Sequence, residues 1–225
     1  MTEKKINKID SPFPSISIDN FIPNESLVRA AAASFETSPE HNWIKYGDHS
    51  SGQVQYCTKY GRQYATPPAL LVMDYIATYF DPNMAFDKLT NAAFPDVEHY
   101  GGGMMLTPNS SGEGGHLGMH VDADVHGAHI NWKREYSAVL CISEKYDSSF
   151  DLLLHDGKKC HTRIPYKFNR LNIFKCSSNS WHGLPEITKG FDRKTLGVMY
   201  WSEMSGEDRK TARVKAKFRH DLEFK

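Results

Sequence analysis

Residues Gly114 to Arg134, a glycine-bracketed run holding His116, His120, Asp122, Asp124, His126 and His129, constrain this chain more than any other stretch. His120 and Asp122 stand two apart. On an extended backbone such residues share one face, with Cα atoms roughly 6.6 Å apart, so an imidazole and a carboxylate can converge on one metal ion. The flanking glycines suit the end of a strand. A fold built on this pair needs a strand end at an open cavity and a further ligand from elsewhere. The candidate is His182 in Asn179-Ser180-Trp181-His182-Gly183, 60 residues beyond Asp122.

The order of elements agrees with such a cavity. Ile16 to Ile18 alternate with serines and predict a short strand. Pro23-Asn24-Glu25 opens a helix capped by Asn24, with Leu27, Val28, Ala31, Ala32 and Phe35 on one face. Residues 36–66 are polar and turn-rich and predict irregular structure with at most short strands. Thr66-Pro67-Pro68 starts a second helix, with Leu70, Leu71, Ile76, Tyr79 and Phe80 as its apolar face. A third, weaker helix is expected over Met84 to Ala93. Tyr100 to Leu106 reads as a bulged strand, followed by a loop from Pro108 to Gly115.

Strand-like runs then follow at Tyr136–Ser143, Phe150–His155, Lys159–Ile164, Leu171–Cys176 and Thr195–Trp201. Asp156-Gly157 is a two-residue hairpin signal. Helices followed by about eight short strands predict an α+β chain, a double-stranded β-helix (jelly roll) core with N-terminal helices packed on it. The expected division is an N-terminal support region over 1–97, a catalytic core over 98–205 and a basic tail over 206–225, all one structural domain.

Two histidines and one carboxylate on one face of a metal form the facial triad of non-haem Fe(II) oxygenases, which leaves coordination positions open. Eleven residues past His182, Arg193 opens Arg193-Lys194-Thr195-Leu196, and alternation places Arg193 and Thr195 on one strand face. A guanidinium there suits bidentate capture of a carboxylate. These features are joined by Ile164-Pro165-Tyr166-Lys167-Phe168-Asn169-Arg170-Leu171-Asn172-Ile173-Phe174 and Ser180-Trp181-His182-Gly183. From about Glu98 to Trp201 the chain resembles the Fe(II)- and 2-oxoglutarate-dependent dioxygenases in their prolyl 4-hydroxylase-like branch.

The resemblance implies iron on His120, Asp122 and His182, the 2-oxoglutarate C5 carboxylate on Arg193 with Thr195 assisting, and Ser137 and Cys141 facing the co-substrate. It implies hydroxylation of an unactivated C–H bond coupled to decarboxylation of 2-oxoglutarate to succinate, with ascorbate a candidate reductant. No tyrosine stands on the Ser137–Cys141 face. Where many relatives carry Gly-Gly-Glu-Leu, this chain has Ser148-Ser149-Phe150-Asp151-Leu152.

The 27 Lys and Arg balance 27 Asp and Glu, which argues against a nucleic-acid or membrane-surface partner. At 40% apolar and 24% charged, the composition supports a packed core. No segment approaches the ~18 apolar residues of a membrane span, and no secretory signal opens the chain. Cys57, Cys141, Cys160 and Cys176 form no CxxC pair and predict reduced thiols in a cytoplasmic protein. The tail carries seven Lys or Arg against four acids and is expected to be a solvated surface element rather than a partner patch. Asp124, His126 and His129 read as polar loop residues, with a place at the mouth as the alternative. The substrate class stays open between a small molecule, slightly favoured, and a peptidyl proline. The rival functions are a zinc hydrolase on the same ligands, and a catalytically silent jelly-roll binding module.

Overall fold

The computed structural model describes residues 3–47, 53–59, 62–79, 102–107, 109–110, 113–125, 130–158 and 161–222. Its strands are β1 (Lys5–Ile9), β2 (Ser15–Asp19), β3 (Trp43–Tyr46), β4 (Gln53–Thr58), β5 (Gly102–Thr107), β6 (Asn109–Ser110), β7 (Glu113–Gly114), β8 (His116–Val121), β9 (Trp132–Cys141), β10 (Leu152–His155), β11 (His161–Ile164), β12 (Leu171–Lys175), β13 (Trp181–Leu184), β14 (Arg193–Glu203) and β15 (Lys217–Phe218). The helices are α1 (Glu25–Ala33), α2 (Pro67–Tyr79) and α3 (Asp208–Thr211).

The larger sheet runs β1-β2-β12-β9-β14-β5-β4, with β3 on β4, and the smaller runs β8-β13-β10-β11, with β15 on β8. β4 pairs with β5 and also with β8, so the two antiparallel sheets join along one side. This is the expected jelly roll.

Period-two alternation separates support from site. On β9, β12 and β14 one face carries Tyr136, Ala138, Leu140, Leu171, Ile173, Leu196, Val198 and Tyr200, all buried against α1 and α2. The Tyr200 hydroxyl donates to the Ile76 carbonyl at 2.9 Å, which fixes α2 against the sheet. The other face turns Ser137, Val139, Asn172, Phe174, Arg193 and Met199 into the space between the sheets. Apolar residues on one strand face and mixed residues on the other are what a sheet needs when one side packs and the other works.

α1 starts as expected, with Asn24 Oδ1 accepting from the Ser26 N–H at 3.1 Å. α2 also starts where predicted, but its buried face is Ala69, Val72, Met73, Ile76 and Ala77, and Leu71 is 60% exposed. The helix is apolar almost all round, so its pattern does not select a face. Packing against α1 and the sheet selects the buried face. Residues 36–66 contribute β3 and β4, and β4 is structurally central because it bridges the sheets. β5 pairs with β14 in continuous register, so the expected bulge is absent over Gly102–Thr107.

β10 and β11 do form a hairpin. Its last pair is His155↔His161, which makes the turn longer than the two residues expected from Asp156-Gly157. Asp156 caps the turn by accepting from the Lys158 N–H at 2.7 Å. The helix expected over Met84 to Ala93 lies outside the described residues. No helix among the described residues is long and apolar enough to cross a membrane, and Cys57, Cys141 and Cys176 are free thiols.

Candidate metal centre and cofactor pocket

The sheet register brings the three expected ligands together. β13 pairs with β8 so that His182 and His120 are direct cross-strand neighbours, with ring centroids 4.2 Å apart. Asp122 follows immediately after β8. Its Oδ1 lies 3.5 Å from His120 Nε2 and its Oδ2 3.8 Å from His182 Nε2. Ligand atoms of His120, Asp122 and His182 all lie within 4.8 Å of one another, the one such His/Cys/Asp/Glu group among the described residues.

Behind the ligands, His120 Nδ1 lies 2.9 Å from the Gly118 carbonyl and His182 Nδ1 2.9 Å from the Ser180 carbonyl. A carbonyl only accepts, so each Nδ1 carries the hydrogen and each Nε2 lone pair turns toward Asp122. That is the tautomer a metal requires, held by a backbone partner.

Charge supports the same reading. Burial pushes the Asp122 pKa up, but the neighbouring Arg134 guanidinium leads the opposing influences, which outweigh it and hold the carboxyl well below its usual range. His182 is pushed down to about 4, first by burial and then by His120. A half-buried carboxylate facing two buried imidazoles fits a divalent cation.

A cavity of about 320 Å³ opens from these groups and reaches Arg193. Arg193 is 3% exposed. Its Nε donates to the Phe150 carbonyl at 3.2 Å, and its guanidinium lies 5.6 Å from the Tyr166 ring centroid. No carboxylate among the described residues lies within ion-pair distance of it. Burial accordingly lowers its pKa. Such a charge is costly unless an anion joins it.

Two stretches of sequence set this position. Tyr166 accepts from the Ser143 N–H at 2.7 Å and donates to the Lys194 carbonyl at 2.9 Å, which locks the ring under Arg193. Asp151 accepts from the Tyr166 N–H at 2.8 Å. The Ser148–Leu152 run that departs from the expected pattern thus supplies both the carbonyl on Arg193 and the anchor of Tyr166.

Thr195 is fully buried and its hydroxyl has no partner among the described residues. Ser137 lines the cavity, but its hydroxyl donates to Asp122 Oδ2 at 3.2 Å and lies 3.3 Å from Cys176 Sγ. Cys141 packs with Phe150, Tyr166 and Ile187, its thiol pushed up to about 11 by burial.

Several cavity residues escaped the sequence reading. Arg134 holds Asp122 Oδ2 at 2.7 Å. β14 pairs Tyr200 with Tyr136 and then Trp201 with Arg134, so Glu135 is the extra residue of a bulge. Strict alternation from Ser137 would turn Arg134 toward the helices, and the bulge re-aims it into the cavity. Tyr46, Gln55 and Thr58 line the cavity from β3 and β4, so a tyrosine is present after all, from a segment expected to be irregular.

The tail also reaches the site, and Ala216 and Phe218 line the cavity. Asp124 accepts from Arg213 Nη2 at 2.6 Å and from the Arg213 N–H at 2.9 Å. It is therefore a buried ion-pair partner of the tail. His126 and His129 lie outside the described residues.

A model of the 2OG-Fe(II) oxygenase superfamily matches residues 104–201. Among solved structures the chain is similar to a prolyl-4-hydroxylase of Pseudomonas putida, at 16% identity and TM-score 0.62 over 84% of this chain and 93% of that one. It is also similar to SnoK, a non-heme α-ketoglutarate-dependent carbocyclase from nogalamycin biosynthesis, at 11% identity and TM-score 0.60 over 92% and 89% of the two chains. A collagen prolyl hydroxylase of Paramecium bursaria Chlorella virus-1, solved with 2-oxoglutarate, is similar at 11% identity and TM-score 0.55 over 84% and 96%. At these identities the likeness is one of fold. No curated protein matches the sequence.

Proposed function

We propose, for a chain whose residues 104–201 match a model of the 2OG-Fe(II) oxygenase superfamily, that it hydroxylates an unactivated C–H bond, with His120, Asp122 and His182 as the iron ligands. Arg193 receives the C5 carboxylate of 2-oxoglutarate, with Thr195 beside it on the same strand face. The observation that carries this reading is the buried Arg193 guanidinium, without a carboxylate partner among the described residues, on the same cavity as the His/Asp/His group.

When bound, Fe(II) and 2-oxoglutarate supply an oxidant able to take hydrogen from an unactivated carbon, with succinate and carbon dioxide as co-products. The chain's own contribution is placement and exclusion. His120, Asp122 and His182 would hold the metal from one side and would leave coordination positions open. Arg134 and Ser137 engage Asp122 Oδ2, which leaves Oδ1 on the His120 side. Arg193 offers a planar fork to a carboxylate. Leu117, Leu152, Leu184 and Phe174 wall the chamber with apolar surface, and exclusion of water protects a reactive oxidant.

The substrate is a small molecule in preference to a prolyl residue of a protein, on the compact length and balanced charge of the chain. The deciding experiment is an anaerobic titration of metal-free protein with Fe(II) and then 2-oxoglutarate. A visible metal-to-ligand charge-transfer band, lost in Asp122→Ala, supports the reading. Tight Zn²⁺ binding without that band transfers support to a zinc hydrolase. Succinate release is then screened against small metabolites and proline-containing peptides in parallel.

A further inference from the structure

Each candidate ligand histidine has an aromatic neighbour, and the two neighbours come from different parts of the chain. His182 has the Phe174 ring at 4.5 Å, from β12 of the larger sheet. His120 has the Phe218 ring at 5.1 Å with an interplanar angle of 21°. Phe218 belongs to β15, which pairs with β8 so that Phe218 is the direct cross-strand neighbour of His120. His182, His120 and Phe218 therefore form one row of rings across the smaller sheet.

The segment that delivers Phe218 is pinned at several points. Arg213 Nη2 donates to Asp124 at 2.6 Å, to the Asp122 carbonyl at 3.3 Å and to the Ser177 carbonyl at 3.2 Å. It thus ties the turn bearing Asp122 to the turn that precedes His182. The Arg219 N–H donates to the Met119 carbonyl at 2.9 Å, and its guanidinium lies 5.5 Å from the Trp181 ring centroid. Leu222 is buried with Met119, Val121 and Trp181.

We propose that Phe218 is a positioning residue for the metal centre: its flat stack on His120, opposite the His182 ring, fixes the plane in which His120 presents Nε2. The physical case is one of rotational freedom. The Gly118 carbonyl holds one edge of the His120 imidazole, and a single hydrogen bond leaves the ring able to rock about its Cβ–Cγ bond. Rings on both sides remove that freedom before the metal arrives, so binding carries a smaller ordering cost. Outer partners of ligand histidines have this effect in general. Phe218 comes from a segment that the superfamily match does not reach.

The inference rests on His120 being a metal ligand, and the test separates the two claims. Co(II) is titrated into the metal-free full-length protein at 20 °C, with affinity from chelator competition and geometry from the visible ligand-field bands. His120→Ala should abolish this binding; if it does not, the metal assignment itself falls. Phe218→Ala and Phe218→Leu should each weaken Co(II) binding by roughly tenfold and alter the bands, whereas Phe218→Tyr, which keeps the flat ring, should match the parent. A merely structural role would lower the melting temperature of the metal-free protein and leave Co(II) affinity unchanged. Parental Co(II) affinity in Phe218→Leu overturns the proposal, and that variant decides it even if Phe218→Ala fails to fold.

Discussion

Replacing Arg193 by methionine should separate stability from function in opposite directions. Arg193 is 3% exposed, with one hydrogen bond to the Phe150 carbonyl, a ring face beneath it and no carboxylate counter-charge among the described residues. Burying an ion costs several kcal/mol even after relaxation, and apolar replacement of buried charges often stabilises by roughly 1–4 kcal/mol. The substitution also removes one hydrogen bond, about 1 kcal/mol, and a cation–π contact, about 1 kcal/mol.

With Arg193 so deeply buried and uncompensated, the gain is taken from the upper half of that range, about 3–4 kcal/mol, and the balance favours the metal-free Arg193→Met protein by on the order of 1–2 kcal/mol. For a chain of this length that raises the melting temperature by roughly 2–8 °C. The same change leaves the 2-oxoglutarate carboxylate unpaired in a dry pocket, a loss of roughly 3–5 kcal/mol, or about a hundredfold or more in affinity.

The assay is thermal melting of Mn(II)-loaded protein with and without 2-oxoglutarate, because a ligand that binds only the native state raises the melting temperature in proportion to RT ln(1 + [L]/Kd). The parent should show a 2-oxoglutarate-dependent rise and Arg193→Met should not, although it starts higher. A variant that melts lower than the parent, or one that keeps the full ligand-dependent rise, refutes the argument.

Alanine at His120, Asp122 or His182 should abolish 2-oxoglutarate turnover while circular dichroism stays native; parental activity in any of the three would remove that residue from the site. Asn169 adopts φ 59° and pairs both amide atoms with the Ile22 backbone at 2.9 Å. Asn169→Ala should therefore cost about 2–4 kcal/mol by urea unfolding, from unpaired backbone groups and left-handed strain, and Asn169→Gly visibly less. Burial pushes the Asp19 carboxyl up, but hydrogen bonds from Arg170 and Lys167 lower its pKa below the ordinary 3.8. Its contribution, about 1.5–3 kcal/mol, is present above that ordinary value and is lost as pH falls through the lower folded one. The melting gap between parent and Asp19→Asn should be full at neutral pH and close on acidification below about pH 4; a gap that widens there would contradict the ion-pair account.

Phe168-Asn169-Arg170, the most specific part of the sequence resemblance, has a structural explanation. Asn169 closes the turn that accepts Ile22, while Arg170 and Lys167 grip Asp19 on β2 at 2.5 and 2.9 Å. The motif locks β2 and β12 in register, and β12 carries Asn172 and Phe174 into the cavity. Motif residues of this kind are legible because their partners are backbone groups a turn away or one strand over. By contrast, α2 showed apolar residues all round, and nothing local could tell that Ala69 and Ala77 would be buried while Leu71 faced water.

The chain's own pattern determined the parts of the site that depend on short spacing. Asp122 lies two residues past His120, Thr195 two past Arg193, and Asn24 directly before α1; covalent geometry alone sets such relations. Strand alternation likewise sorted Ser137 and Arg193 from Leu140 and Leu196. Only the tertiary structure decided which distant segments reach the same cavity. Arg134 arrives through a bulge that exists because β14 pairs around Glu135. Tyr46 arrives because β4 bridges two sheets and carries β3 with it, and Phe218 because the tail takes up the free edge of β8. Each depends on strand order and register across the molecule, fixed by the packing of two sheets and two helices together. The candidate metal-binding group His120, Asp122 and His182 could therefore be named from sequence, while much of the chamber around it could not.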